Sequence, residues 1–243
     1  VYNVAVGFEA GQEITTGVNN TLLGALAGDA LTTGSNNQAF GRDALGADTL
    51  GSQNVAIGRG ALGTQNFTTA TNVYNVAVGP SAGTSITTGV SNTLVGGLAG
   101  DAITDADENV AVGMNALSTN TLGSSSVAIG HQALFAQNYT TATNAYNVAV
   151  GKNAGVAVST GVQNTLLGAF AGDAITTGFA NVAIGYQALS SDDVGTNTVA
   201  IGQNALFAQN FSTATATYNV AVGQSAGASV TTGESNTLIG GLA

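Results

Sequence analysis

The segment Asn3-Val4-Ala5-Val6-Gly7-Phe8-Glu9-Ala10-Gly11 decides the fold, because its pattern returns along the whole chain. It recurs as NVAVGPSAG at 75–83, NVAVGKNAG at 147–155 and NVAVGQSAG at 219–227, a period of 72 residues. Within a period, one glycine recurs after 17, 17, 17 and 21 residues, and we call it the anchor glycine. The anchor glycines are Gly7, Gly24, Gly41, Gly58, Gly79, Gly96, Gly113, Gly130, Gly151, Gly168, Gly185, Gly202, Gly223 and Gly240. Such self-similarity predicts a repeat architecture. We expect a single repeat domain over 1–243, with super-repeats 1–72, 73–144 and 145–216 and a partial one at 217–243.

The residues around each anchor glycine predict a strand followed by a turn. Val4-Ala5-Val6 is short, β-branched in part, and bounded by Asn3 and Gly7, which are turn formers. Seventeen residues are too few for two helices and their turns, but they suit one coil of a β-roll with two short strands. The sequence therefore predicts an all-β parallel β-solenoid of about 14 coils, in which every fourth coil has 21 residues.

Asparagine stands four residues before nearly every anchor glycine. Stacked asparagines can satisfy one another's donors and acceptors from coil to coil. A structural ladder is favoured over a catalytic use. We assign it to Asn3, Asn20, Asn37, Asn54, Asn75 and Asn92.

Both faces of the predicted strand are apolar, which indicates an oligomer. Val4 and Val6 point to one side and Ala5 to the other, since successive strand residues alternate. One of the two faces would be left as an apolar stripe, and large exposed stripes mark interfaces. We expect the smaller residues to form the subunit interface. They are Ala5, Leu22, Ala39, Ala56, Ala77, Leu94, Ala149 and Leu166.

Composition excludes several classes of function. Only 7% of residues are charged, the net charge is −10 and there is no cysteine. Acidic balance disfavours nucleic acid and anionic membranes, and no 18-residue apolar run predicts membrane insertion. The single histidine, His131, aligns with Arg59 and Gln203, and no nucleophile, zinc or phosphate-binding motif is present. We therefore expect no enzymatic activity, no catalytic residue, no metal and no cofactor.

The repeats resemble those of a known group of proteins. NVAIG, SVAIG and NTLLG, each followed by a conserved alanine spacing, resemble the head repeats of trimeric autotransporter adhesins. The longer unit NTLLGALAGDALTTGSNN is similar to repeats of viral and phage tail-fibre proteins. The resemblance covers the whole chain, although these coils are longer than adhesin coils. It implies a left-handed β-roll, a homotrimer and a role in surface attachment.

The four-residue insertions of the long coils are candidate receptor-contact loops. They read QNFTTATNVYN, QNYTTATNAYN and QNFSTATATYN, with an aromatic residue beside hydroxyls. Loops carry binding function more often than scaffolds. The alternative is that each aromatic covers a gap in the coil and the hydroxyls decorate a turn. The candidates are Phe67, Thr68, Thr69, Tyr139, Thr140, Thr141, Phe211, Ser212 and Thr213. The tyrosines that follow, Tyr2, Tyr74, Tyr146 and Tyr218, are expected to pack.

Two further columns leave alternatives open. Threonine or serine commonly stands eight residues after the anchor glycine, as in Thr15, Thr32 and Thr49. A flat threonine array could bind ice, but corner turns explain it more simply. Recurrent Asp29, Asp101 and Asp173 could bind calcium, but solvated turns are favoured.

These observations favour a structural segment of a trimeric extracellular fibre, in a virion tail fibre, that takes part in host or surface attachment. The head of a bacterial trimeric surface adhesin is the first alternative, and an ice-binding solenoid is the second. The expected partners are further copies of the chain and a glycan or protein receptor on a host cell surface.

Overall fold

The computed structural model describes residues 2–243, which form a parallel β-solenoid of about fourteen coils without helices. The predicted fold class is confirmed at this level. The chain divides into two compact units, residues 1–122 and 123–243, and both carry the same repeat.

Unit 1 contains seven three-residue strands that end just before an anchor glycine, and two shorter strands. They are β1 Val4–Val6, β2 Thr21–Leu23, β3 Gln38–Phe40, β4 Gly51–Ser52, β5 Val55–Ile57, β6 Thr71–Asn72, β7 Val76–Val78, β8 Thr93–Val95 and β9 Val110–Val112. The three-residue strands pair in parallel with the strand of the next coil, and equivalent residues face one another, as Ala5 faces Leu22. The short strands β4 and β6 pair separately.

Unit 2 repeats this arrangement. Its strands are β10 Gly123–Ser124, β11 Val127–Ile129, β12 Thr143–Asn144, β13 Val148–Val150, β14 Thr165–Leu167, β15 Val182–Ile184, β16 Val199–Ile201, β17 Val220–Val222 and β18 Thr237–Ile239. The three-residue strands again pair in parallel and in register, and β10 pairs with β12.

The anchor glycine is required by both backbone conformation and space. Gly96 has φ +139°, a conformation that residues with a Cβ rarely adopt. A Cβ placed on it would lie 2.6 Å from the carbonyl oxygen of Gly113, the anchor glycine of the next coil. The invariance of this column therefore follows from the close stacking of the coils.

The core alternates between two kinds of coil. In the first kind, Gly28 makes room for Leu31, since a Cβ on Gly28 would lie 2.8 Å from Leu31 Cδ1. In the second kind, leucine replaces that glycine, as Leu45 does, and its buried side chain fills the space. The residue three positions later then changes from Leu31 to the polar Asp48. Side-chain volume is thus conserved along the core even though its distribution changes.

Candidate functional site

The column predicted as the subunit interface lies instead in the core of the chain. Seven of its members are completely buried within the solenoid, and Ala5, on the first coil, is exposed. The buried members are Leu22, Ala39, Ala56, Ala77, Leu94, Ala149 and Leu166. A side chain enclosed by its own chain has no surface to offer a second subunit. The prediction that this column forms the interface is therefore wrong, because the middle residue of each strand points inward.

The opposite face of the same strands points outward and is mainly apolar. In unit 1 it carries Val55 and Ile57 of β5 and Val76 and Val78 of β7, all partly exposed. Unit 2 presents an equivalent face, from Ile129 onward. We call this surface the outer sheet face; it comprises the first and third residues of the three-residue strands. An apolar sheet face that is only partly buried is typical of an interface.

The asparagine column forms a buried ladder whose main partners are backbone groups. Asn20 Nδ2 donates to the Gly34 carbonyl at 2.9 Å, and Asn20 Oδ1 accepts from the Asn37 backbone N–H at 2.9 Å. Side-chain contacts between successive asparagines are longer or secondary, as from Asn54 Nδ2 to Asn37 Oδ1 at 3.1 Å. Asn3, Asn75 and Asn92 use the same pattern. The ladder therefore joins each coil to the next and also closes each turn.

The insertion aromatics lie inside the coil, which contradicts a direct role in receptor contact. Phe67, Tyr139 and Phe211 are only 7%, 6% and 5% exposed. Tyr139 Oη donates to the Gly161 carbonyl at 2.7 Å, and burial raises the pKa of Tyr139 to about 12. Their contribution is to fill the wider cross-section that four extra residues create.

The hydroxyls of the insertions lie at the surface. All six residues predicted to contact a receptor through hydroxyls are exposed. They are Thr68, Thr69, Thr140, Thr141, Ser212 and Thr213. Each insertion is fixed by pairing with the previous coil, as Thr71 of β6 faces Gly51 of β4.

The tyrosines that follow the insertions are exposed rather than packed. Tyr74, Tyr146 and Tyr218 are 52%, 53% and 63% exposed, and Tyr2 is also exposed. Each of the first three has a left-handed backbone, with φ between 51° and 58°. Asparagine, serine and glutamine hold this position in other coils. A bulky residue there is uncommon, so the exposed tyrosines are notable surface features that the motif did not reveal.

A buried polar network lies beneath the first and third insertions. Asp48 accepts hydrogen bonds from Gln65 Nε2 at 2.6 Å and from the Gly51 N–H at 3.0 Å. Gln65 Oε1 in turn accepts from Asn75 Nδ2 at 2.8 Å. Burial is the main cause that raises the pKa of the Asp48 carboxyl above its usual range. The network links a core carboxyl to the asparagine ladder at the coil where the insertion begins.

The same network recurs in unit 2. Gln209 Nε2 donates to Asp192 Oδ2 at 2.6 Å, and Asn219 Nδ2 donates to Gln209 Oε1 at 2.8 Å. Burial again raises the pKa of Asp192. The middle period has the neutral Asn120 at this position. The change from aliphatic to polar residues seven positions after the anchor glycine is the sequence signal that could have revealed the network.

The remaining columns behave as turn elements. Thr32 Oγ1 donates to the Thr49 carbonyl at 3.1 Å, and Thr104 and Ser159 make equivalent bonds. The threonine hydroxyls therefore serve the stack, which favours the corner-turn interpretation over ice binding. Asp173 accepts from Ser190 Oγ.

Residues 2–243 contain no cluster of three or more histidine, cysteine or acidic side chains placed to hold a metal ion. Nor does any helix in that range have the length and hydropathy of a membrane span. Comparison with protein-family models, with curated proteins and with solved structures finds no match to this chain.

Proposed function

We propose that the chain is a structural segment of a homotrimeric extracellular fibre that takes part in attachment to a host or another surface, as in a virus or phage tail fibre. The observation that carries the proposal is the outer sheet face. Its valines and isoleucines are only partly covered, although the core behind them is complete. Association of copies through this face would bury it, because each copy presents the same residue types at each coil.

Other features support an extracellular fibre. The described strands are linked to their neighbours by backbone hydrogen bonds and by the buried asparagine ladder, so stability comes from stacking. No cysteine or metal cluster is needed for it. The long coils present hydroxyls and tyrosines outward at every fourth coil, as at Thr68 and Tyr74. Regular presentation of such groups suits repeated weak contacts with a receptor.

The oligomer is tested by mass, using changes confined to the outer sheet face. We expect the unmodified chain to sediment at three times its monomer mass of 23.7 kDa. The double variant Val76→Lys, Val110→Lys should remain β-structured but sediment as a monomer, because charges would be buried in the interface. The matched control is Val76→Thr, Val110→Thr, since Thr21 and Thr93 already occupy this column. A monomeric unmodified chain, or a trimeric lysine variant, would reject the interface.

The attachment role is tested separately with the exposed tyrosines. Replacing Tyr74, Tyr146 and Tyr218 with asparagine, the residue found there in other coils, should weaken binding to host cells without lowering the midpoint of unfolding. Asparagine tolerates the left-handed backbone, so the change removes the ring without adding strain. Unchanged cell binding would remove these tyrosines from the contact surface. A sequence that continues into a membrane anchor would indicate the bacterial adhesin instead of the tail fibre.

A further inference from the structure

Every basic side chain of the protein stands in one column. The three cationic residues, Arg42, Arg59 and Lys152, and the only histidine, His131, each come directly after an anchor glycine. Other coils have Pro80, Gly, Met, Ala or Gln at this place, so the fold does not require a cation there. We call these four residues the basic column.

In unit 1 the two arginines occupy successive coils. Phe40 pairs with Ile57, and the N–H of Gly60 donates to the Arg42 carbonyl at 2.9 Å, so Arg42 and Arg59 are stacked. Coils are about 4.8 Å apart, at which distance like charges repel. Arg42 pairs with Asp43 at 3.2 Å, and this is the only ion pair among residues 2–243. Arg59 is thus an exposed guanidinium beside another cation and without an acidic partner.

In unit 2 the cation adjoins an aromatic ledge. Lys152 Nζ lies 5.8 Å from the centre of the Phe170 ring, and Phe170 meets the exposed ring of Tyr186 edge to face at 6.1 Å. These three residues come from successive coils. Beside Lys152, the N–H of Asn153 donates to the His131 carbonyl at 2.9 Å. His131 Nδ1 and Asn153 Oδ1 are buried without hydrogen-bond partners, which leaves polar capacity unused next to the lysine.

We propose that the basic column binds an acidic polysaccharide, with carboxylate or sulfate groups at the cations and a sugar ring against the Phe170–Tyr186 ledge. Guanidinium groups bind planar anions through paired hydrogen bonds, and aromatic faces present large rigid contact surfaces. A linear polymer fits a column that runs along successive coils. This inference rests on the proposed attachment function and specifies its ligand class.

The test compares three polymers with one backbone: dextran sulfate, carboxymethyl dextran and unsubstituted dextran. Binding is measured on the immobilised full chain at low and physiological salt. We expect at least one acidic polymer to bind, dextran to remain unbound, and affinity to fall as salt rises. Because the chain carries a net charge of −10, bulk electrostatics would repel both acidic polymers. Sulfate or carboxylate preference identifies the anionic group.

The decisive variant is Arg42→Gln, Arg59→Gln, Lys152→Gln, which should lose about tenfold or more in affinity, since hydrogen bonds to charged groups are among the strongest. Its control, Thr16→Glu, Thr33→Glu, Thr177→Glu, lowers the net charge equally at exposed positions in another column and should lose less than about threefold. Tyr186→Ala should weaken binding severalfold without any change in charge.

Binding that survives the triple glutamine variant, equal losses in both triple variants, or no binding of either acidic polymer would overturn the inference. Sedimentation mass separates this from the proposed fibre. A trimer that ignores both polymers rejects the polysaccharide site alone. A monomer that binds them rejects the trimeric fibre alone.

Discussion

Two adjacent glycines in unit 1 should respond to the same substitution in opposite directions. Gly96→Ala places a Cβ 2.6 Å from Gly113 O, whereas ordinary contacts begin at 3.4 Å. The coils would have to separate by about 0.8 Å, which stretches the 2.8 Å bonds from Gly96 N to Val78 O and from Gly113 N to Val95 O beyond hydrogen-bond distance. Loss of both bonds, together with backbone strain, should cost about 4 kcal/mol.

Gly97→Ala is the matched control. Gly97 has no left-handed backbone, and its Cβ would lie 3.6 Å from Pro80 Cγ, an ordinary contact. The alanine should stabilise the fold by about 0.5 kcal/mol, because it restricts the unfolded chain.

The assay is guanidinium unfolding followed by circular dichroism, with hydrogen exchange of β7, β8 and β9 read alongside. The exchange measurement is needed because repeat arrays can open locally rather than as a whole. We expect faster exchange in these strands for Gly96→Ala only. If the two variants shift the midpoint equally, or if Gly96→Ala costs less than about 1 kcal/mol, then close stacking does not explain the anchor glycine.

Three further outcomes follow from the buried polar groups. Asp48→Asn with Asp192→Asn should flatten the dependence of stability on pH: burial raises both folded pKa values, so the cost of ionisation is present above the folded pKa and disappears as pH falls towards the unfolded value of about 3.9. An unchanged slope of melting temperature between pH 4 and 7 would contradict this, and Asn120 shows that the fold accepts the residue. Asn164→Ala should cost about 3 kcal/mol in chemical unfolding, because the Gly178 carbonyl and the Asn181 N–H lose their partners, whereas Asn164→Thr, as at Thr198, should cost less. Tyr139→Phe should cost about 1 kcal/mol, since the ring volume found at Phe67 is kept and one hydrogen bond is lost; a neutral result would mean that Asn147 alone satisfies Gly161.

The strand pattern could be predicted because it depends on local chemistry repeated many times. Asn3, Val4 and Gly7 specify a turn, a strand and a second turn without reference to distant residues. Parallel pairing then follows from the constant spacing, which aligns Ala5 with Leu22. A single copy of this segment would have been ambiguous, but the fixed register removes the alternatives.

The direction of the strand faces could not be predicted from the strand alone. Val4 and Ala5 are both apolar, so alternation indicates two faces without saying which is inside. The size of the side chains suggested that the small residues meet another subunit. The structure reverses this, because a narrow coil accommodates alanine and leucine at its centre while the bulkier valines remain outside.

The insertion was misread for a related reason. Aromatics beside hydroxyls resemble a contact surface, yet a coil enlarged by four residues encloses more volume, and Phe67 fills it. The tyrosine seven positions later has no such space and projects outward, as Tyr74 does. The need to fill the interior therefore determines which aromatic is exposed.

Conservation of volume also explains where buried charge is tolerated. Coils with Gly28 need an aliphatic residue at Leu31, whereas coils with Leu45 already have a filled core and leave a smaller site for Asp48. That site opens towards Gln65 and the asparagine ladder, so its polar groups are satisfied. It also lies at the coil that precedes each insertion, where the Phe67 N–H reaches Asp48 Oδ1 at 3.5 Å. The buried acid therefore helps to fix the start of the loop that presents Thr68 and Thr69, which links core packing to the position of the exposed hydroxyls.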